Sequence, residues 1–241
     1  MTDSDTDMEL NSQTSTTEAP TGSRLIGAIV APAVKLWLRS QVESAADIRV
    51  QLSGRDRQIL GGRLPQVQVS ARSVVYQGLQ LSAIDLIASE IAVNLRQVVR
   101  GQPLRLLQPI PVMADLSLSA ADLAASLAAP LLASALDEFL QPLLASWGRT
   151  ATLATPRASL AADTLILDGT LDDRPVRLQL GLDLAGPQQL LLRDPRWLSA
   201  TGEPIAELAS IALPLGEDVA IEQLTLEADA LRCRGTITVR P

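Results

Sequence analysis

The stretch PQVQVSARSVVY, residues 65–76, does most to limit what this chain can fold into. Val67, Val69, Ala71 and Val75 share one parity, and Gln66, Gln68, Ser70 and Arg72 the other. Side chains on a strand alternate between faces, so this stretch forms a strand with one dry and one wet face, and the dry face needs an apolar cover. The pattern recurs. Val176, Leu178, Leu180, Leu182 and Leu184 alternate with Arg177, Gln179, Gly181, Asp183 and Ala185. Leu231, Cys233, Ile237 and Val239 alternate with Arg232, Arg234, Thr236 and Thr238.

Two runs carry irregularities. Leu79 and Leu81 lie on one parity, Ile84 and Leu86 on the other, and Ile87, Ile91 and Val93 return to the first. A bulge or bend near Ser82 and Ala83 reconciles them. Leu104, Leu106, Ile110, Val112, Leu116 and Leu118 share a parity, with Pro109 and Pro111 opposite, as suits an edge strand or a bend. The sequence LDDRP between TLILDGT and VRLQL reads as a hairpin turn.

Two segments have helical spacing instead. Leu25, Ile29, Ala33, Leu36 and Trp37 form a stripe in a helix expected to reach about Ser44, with Pro32 inside it. In residues 119–147, Ser119 and Asp122 resemble a capping pair, Leu123, Leu127 and Leu131 repeat at four, and the stripe continues through Phe139 to Trp147. Pro130 and Pro142 are expected to divide this region, and Gly148 to end it. Residues 1–23, rich in Asp, Ser and Thr, read as a disordered acidic tail, and residues 24–241 as a single domain. The order of helix, strands, helix, strands implies α+β with an antiparallel sheet, and a curled sheet with helices packed against it fits that order.

Composition narrows the function. There is no histidine and one cysteine, Cys233, so Ser-His-Asp and Cys-His catalysis and Cys/His zinc sites are excluded, as is an internal disulfide. Cys233 sits on the dry parity of a strand and reads as a buried, inert thiol. The carboxylate pairs Asp172-Asp173 and Glu217-Asp218 fall in turn-like sequence, and Asp137-Glu138 beside the helical stripe, with no sign of a raised pKa. No cofactor motif is present: RDRQILGGR has paired glycines but no phosphate-loop lysine. Its arginines, Arg55, Arg57 and Arg63, are either headgroup ligands or a solvated turn.

The net charge is −7, but Asp3, Asp5, Asp7, Glu9 and Glu18 precede the first base, and removing those five from the 27 acids leaves 22 against 20 bases. A near-neutral body with 2 % aromatic residues gives no basis for nucleic-acid binding. The acidic N-terminus lacks a signal-peptide pattern and neither long apolar run reaches about 20 residues. The expectation is a cytoplasmic protein, peripheral on a membrane if residues 25–38 form an amphipathic contact. With 47 % hydrophobic residues and so few aromatics, the dry faces either pack fully or leave an elongated apolar cavity.

The residues WLRSQVES, LSGRDRQILGGRLPQVQVSARSVVYQGLQLS and RGQPLRLLQPIPV resemble, in that order, the LmeA-like phospholipid-binding family, and most closely its cyanobacterial branch. The resemblance is carried by residues 25–145. It implies an elongated, partly barrel-like β structure with an apolar interior, like the tubular lipid-binding folds, and binding of phospholipid or another acyl-chain lipid without catalysis. The characterised actinobacterial members are exported and act in envelope biosynthesis, so lipid binding is the property that carries over. On that reading the lining comprises Val67, Val69, Val75, Leu79, Leu81, Ile91 and Val93. It continues through Leu104, Leu106, Ile110 and Val112, the helical Leu123, Leu127, Leu131 and Phe139, and then Leu178, Leu180 and Leu182. Arg55, Arg57 and Arg63 are its headgroup candidates. Two other readings stand beside it: an interaction scaffold with a packed core, and a hydrolase using carboxylates.

Overall fold

The computed structural model describes residues 24–54, 56–148 and 152–241. The expected tail, residues 1–23, lies outside them. Helix α1 (Arg24–Gln41) leads into β1 (Ser44–Ser53), the single turn α2 (Asp56–Leu60) and a long hairpin of β2 (Arg63–Tyr76) and β3 (Leu79–Ala92). The short α3 (Leu95–Val98) and an irregular stretch precede β4 (Ile110–Ser119), α4 (Ala120–Ser126) and α5 (Pro130–Ser146). Six further strands follow: β5 (Ala154–Ala161), β6 (Thr164–Leu171), β7 (Arg174–Gly186), β8 (Gln189–Ser199), β9 (Pro204–Glu207) and β10 (Ile211–Pro214). The hairpin β11 (Val219–Leu226) and β12 (Ala230–Val239) closes the chain.

The strands form two antiparallel sheets, ordered β1-β2-β3-β4-β12-β11 and β10-β8-β7-β6-β5, with β9 also on β8. The C-terminal hairpin therefore returns across the second sheet to complete the first, with Val112 opposite Ile237 and Leu118 opposite Leu231. Strands outweigh helices, and both sheets are open: the first ends at β1 and β11, the second at β5 and β10, and β11 is tied to the β7–β8 turn by Ile221 N donating to Pro187 O at 2.6 Å. Of the two expected forms, a curled antiparallel sheet or a partial β-barrel, the sheets do not close into a barrel, and helices lie on the first of them: α1 on β1, α2 on β2, and α4 on β3 and β4.

The bend expected near Ser82 and Ala83 is present. Val69 and Ala71 are buried on one parity and Val74 on the other, with Ser73 between them at φ +48°. Their partners switch together: Ala71 faces Ile84, and Val74 faces the buried Leu81. A second switch, from buried Ala88 to buried Ile91, occurs at Glu90, φ +54°. Val75 is consequently misplaced by strict alternation, because the irregularity at Ser73 puts Val74 on the dry face instead.

Local chemistry sets the other boundaries. The hairpin turns Gln77-Gly78 and Asp172-Asp173 have positive φ at both central residues, as a two-residue hairpin of the twisted type requires. Ser119 caps α4: its Oγ accepts from Asp122 N at 3.1 Å, and Asp122 Oδ2 accepts from Ser119 N at 3.2 Å. Pro130 opens α5, as expected, but Pro142 lies inside it without breaking it. The carbonyl it leaves unpaired belongs to exposed Glu138, where water can serve it. Within the charged turn, DRQIL forms the helical turn α2, with Gly61 and Gly62 after it. Leu104 and Leu106 precede their strand, which starts at Ile110, and Leu106 makes only an isolated bridge to Val93.

Candidate functional site

The dry face of each sheet meets a different fate. On the second sheet, Leu165, Leu167, Leu178, Leu180, Leu192 and Trp197 pack with Leu123 of α4, Leu127 at its C-terminal cap, and Leu136, Leu140, Leu143 and Leu144 of α5. Trp197 and Leu178 are fully enclosed. Trp147 stacks on Trp197 with centroids 5.8 Å apart, although the Trp197 Nε1–H has no hydrogen-bond partner among the described residues. No single described helix is long and apolar enough to cross a membrane, and α4 and α5 meet at 89°.

The dry face of the first sheet carries two packed clusters. One joins Val67, Val69, Ala88, Ile91, Ile110 and Val112 to Val34 of α1, Ile59 of α2 and Leu95 of α3. The other gathers Ile48, Ala71, Val74, Leu81 and Leu118. Toward the β11 edge the helical cover stops, and β11 lies against β7 instead. Leu116 stands opposite Ile84 and Cys233, Cys233 opposite Leu224, and Gly235 opposite Ile221. Leu116, Val219, Ile221 and Leu224 are only partly buried and join none of the three packed clusters. They form an apolar strip on the β4-β12-β11 side, and this is the candidate binding surface.

The expected lining residues are thus divided. Val67, Val69, Ile91, Val93, Ile110 and Val112 are buried in the first cluster, with Leu104 and Leu106 packed at its margin. Leu81 and Leu79 belong to the second. Leu123, Leu127, Phe139, Leu178, Leu180 and Leu182 fall in the core of the second sheet. Leu131 is 40 % exposed, because α5 starts at Pro130 and turns its first residue after the proline outward. Val75 joins none of the clusters. In residues 25–38, Val34 and Leu38 face the sheet while Leu36 is 71 % exposed. Arg57, in α2, and Arg63, at the start of β2, are both exposed, and Arg55 lies outside the described residues.

Strict alternation does not reveal the strip, because the segment DVAIEQLTLEA breaks it: Val219 and Ile221 share one parity, Leu224 and Leu226 the other. The register shift between Ile221 and Gln223 explains the break. Two parities separated by the polar pair Glu222-Gln223 were the available signal.

A concavity of about 300 Å³ lies on the opposite, hydrophilic face of the first sheet, lined by Arg49, Gln51, Gln68, Ser70, Arg72 and Asp85 among others. Its lining suits polar groups rather than hydrocarbon. Burial, with Asp115 nearby, raises the Cys233 thiol above its ordinary value and keeps it protonated. Burial also acts upward on Asp122, but hydrogen bonds from Ser82 and Ser119 outweigh it and hold that carboxyl below its ordinary value. Asp218 is occupied by Arg240, with Nη2 at 2.7 Å and Nε at 3.0 Å, and Asp172 and Asp173 form a hairpin turn.

The sequence model described as LmeA-like phospholipid-binding matches residues 21–236. No curated protein and no solved structure matches the chain.

Proposed function

This chain belongs to the LmeA-like phospholipid-binding family, and from that premise we propose that it binds phospholipid without catalysis, holding the acyl chains against the strip of Leu116, Val219, Ile221 and Leu224. The carrying observation is that these four side chains occupy the dry face of a sheet yet join no packed cluster. Apolar surface left in water is the surface that a hydrocarbon chain stabilises, by ~0.8 kcal/mol for each methylene it buries. Ile84, Leu86 and Ile237, partly buried on the same face, extend the strip toward the packed clusters. Contacts of this kind select for chain length and shape, and leave headgroup preference to charged groups at the ends of the sheet.

The test is lipid extraction and uptake. Organic extracts of the purified protein analysed by mass spectrometry are expected to contain phospholipid near one-to-one stoichiometry. Leu116→Asp and Leu224→Asp, which remove no member of a packed cluster, are expected to lower uptake of a fluorescent phospholipid at least tenfold while the circular dichroism stays unchanged. Protein that is always empty and takes up no added lipid points instead to an interaction scaffold and overturns the proposal.

A further inference from the structure

Two sequence segments that lie far apart meet at one end of the first sheet. The connection from β1 to β2 runs through α2, and the connection from β3 to β4 through residues 93–109. Ser53 pairs with Gln66 and Leu64 with Ile91, so both connections leave the sheet at the same end. They are tied together there: Gly62 N donates to Ile59 O at 2.9 Å, and Val93 N donates to Gly62 O at 2.8 Å. Gly62 has φ +79°, and a Cβ on it would press on the Val93 carbonyl at 2.6 Å, so the two segments approach as closely as only glycine allows.

The second connection is held in one shape by a buried side chain. Asn94 is 8 % exposed. Its Nδ2 donates to Pro103 O and to Gln97 Oε1, each at 3.0 Å, and its Oδ1 accepts from Arg105 N at 2.7 Å. Every polar atom of that amide has a partner, so RGQPLRL is a pinned loop rather than a loose one. On it Val99 is 72 % and Leu107 62 % exposed, large apolar side chains facing water on a fixed backbone.

The charge of this end opposes that of the chain. Residues 54–66 and 89–108 contain six arginines and two acids, Asp56 and Glu90, whereas the whole chain carries −7. Arg57, Arg63, Arg96, Arg100 and Arg105 are all exposed. None of the five is in an ion pair among the described residues. On the β11 side of the same end Asp218 is already neutralised by Arg240. Unpaired arginines around exposed apolar side chains are complementary to a surface that is anionic outside and hydrocarbon beneath.

We infer that the end of the first sheet formed by α2 and residues 94–107 is a docking surface for an anionic phospholipid bilayer, with Val99 and Leu107 inserting at the headgroup level and the arginines pairing with lipid phosphates. The choice of a lipid surface rests on the phospholipid-binding reading above. The surface is separate from the strip on β4, β12 and β11.

Flotation of the full chain with vesicles of phosphatidylcholine alone, and of phosphatidylcholine mixed with phosphatidylglycerol, tests it. Binding is expected only to the mixed vesicles, weakening as salt rises. In the triple variant Arg96→Gln, Arg100→Gln, Arg105→Gln, partitioning is expected to fall about fivefold for each arginine removed. Val99→Ser with Leu107→Ser is expected to lower it as well, at unchanged net charge. Arg232→Gln with Arg234→Gln, which alters charge on the wet face of β12, is expected to leave it near the wild-type value. Uptake of fluorescent phospholipid measured on the same variants separates the two ideas: docking variants keep uptake, and strip variants keep flotation. Wild-type protein that ignores anionic vesicles, or a control pair that loses as much binding as the triple variant, overturns the inference. Binding of a single-stranded oligonucleotide through these arginines, without vesicle binding, overturns it too.

Discussion

The two sheets start from the same alternation and end differently. Leu178, Leu180, Leu192 and Trp197 of the second sheet are roofed by α4 and α5 into a continuous core. On the first sheet, helices roof β1 to β4, while β12 and β11 present Cys233, Ile221 and Leu224 only partly covered. Alternation reports that a face avoids water; it does not report what keeps the water away. A leucine facing a helix and a leucine facing a future acyl chain are written identically.

The contrast breaks most readily at its strongest point. Trp197→Ala is expected to lower stability by about 3–5 kcal/mol, since the site is closed on all sides and cannot collapse. Leu224→Ala on the uncovered strip is expected to cost under about 1 kcal/mol, close to a surface substitution. Urea unfolding of the two variants side by side reads the difference, and equal losses would erase the distinction between a filled face and an open one.

A smaller effect sharpens where the strip comes from. A Cβ on Gly235 would collide with the Ala220 carbonyl and approach Ile221 Cα at 2.8 Å, both backbone atoms that cannot swing aside. Gly235→Ala is therefore expected to cost about 1–3 kcal/mol by overpacking and to loosen β11 specifically. Faster amide exchange in residues 219–224 than in β7 is the diagnostic; uniform acceleration would mean that the hairpin is not an independent edge.

The smallest effect concerns the joint between the regions, the α4 cap. Ser119→Ala is expected to cost about 1 kcal/mol. Because Asp122 is held below its ordinary value, the carboxylate's contribution is fully present above the unfolded value near 4, and it is lost as pH falls through the lower folded value. Asp122→Asn should flatten the acid limb of a stability profile and leave the neutral limb parallel to wild type. An unchanged acid limb would remove Asp122 from the joint.

Much of this architecture was legible in the residues. Ser119 and Asp122 announced the cap, Asp172-Asp173 the hairpin, and the parity change after Leu81 the bend. Val75 failed because one residue at positive φ, Ser73, reverses a period of two, and serine does not advertise that conformation as glycine does. Leu104 and Leu106 lie before their strand, where the Asn94 side chain and a single bridge from Leu106 to Val93 hold the backbone and leave both side chains at the margin of the first cluster. The candidate strip was invisible for a further reason: its side chains come from β4, β12 and β11, and they become neighbours only when the last hairpin returns to β4.

By itself the sequence determined what depends on near neighbours: the wet and dry sides of each strand, the turns, the caps, and the absence of histidine chemistry. These follow from sterics and hydrogen bonds spanning a few residues. Only the tertiary structure decided which dry side is roofed by helices and which is not, and that Arg57, Arg63, Arg96, Arg100 and Arg105 share one end. Those outcomes depend on where helices and a distant hairpin come to rest. Apolar burial, which drives that placement, has no direction and so leaves no periodic mark on the chain.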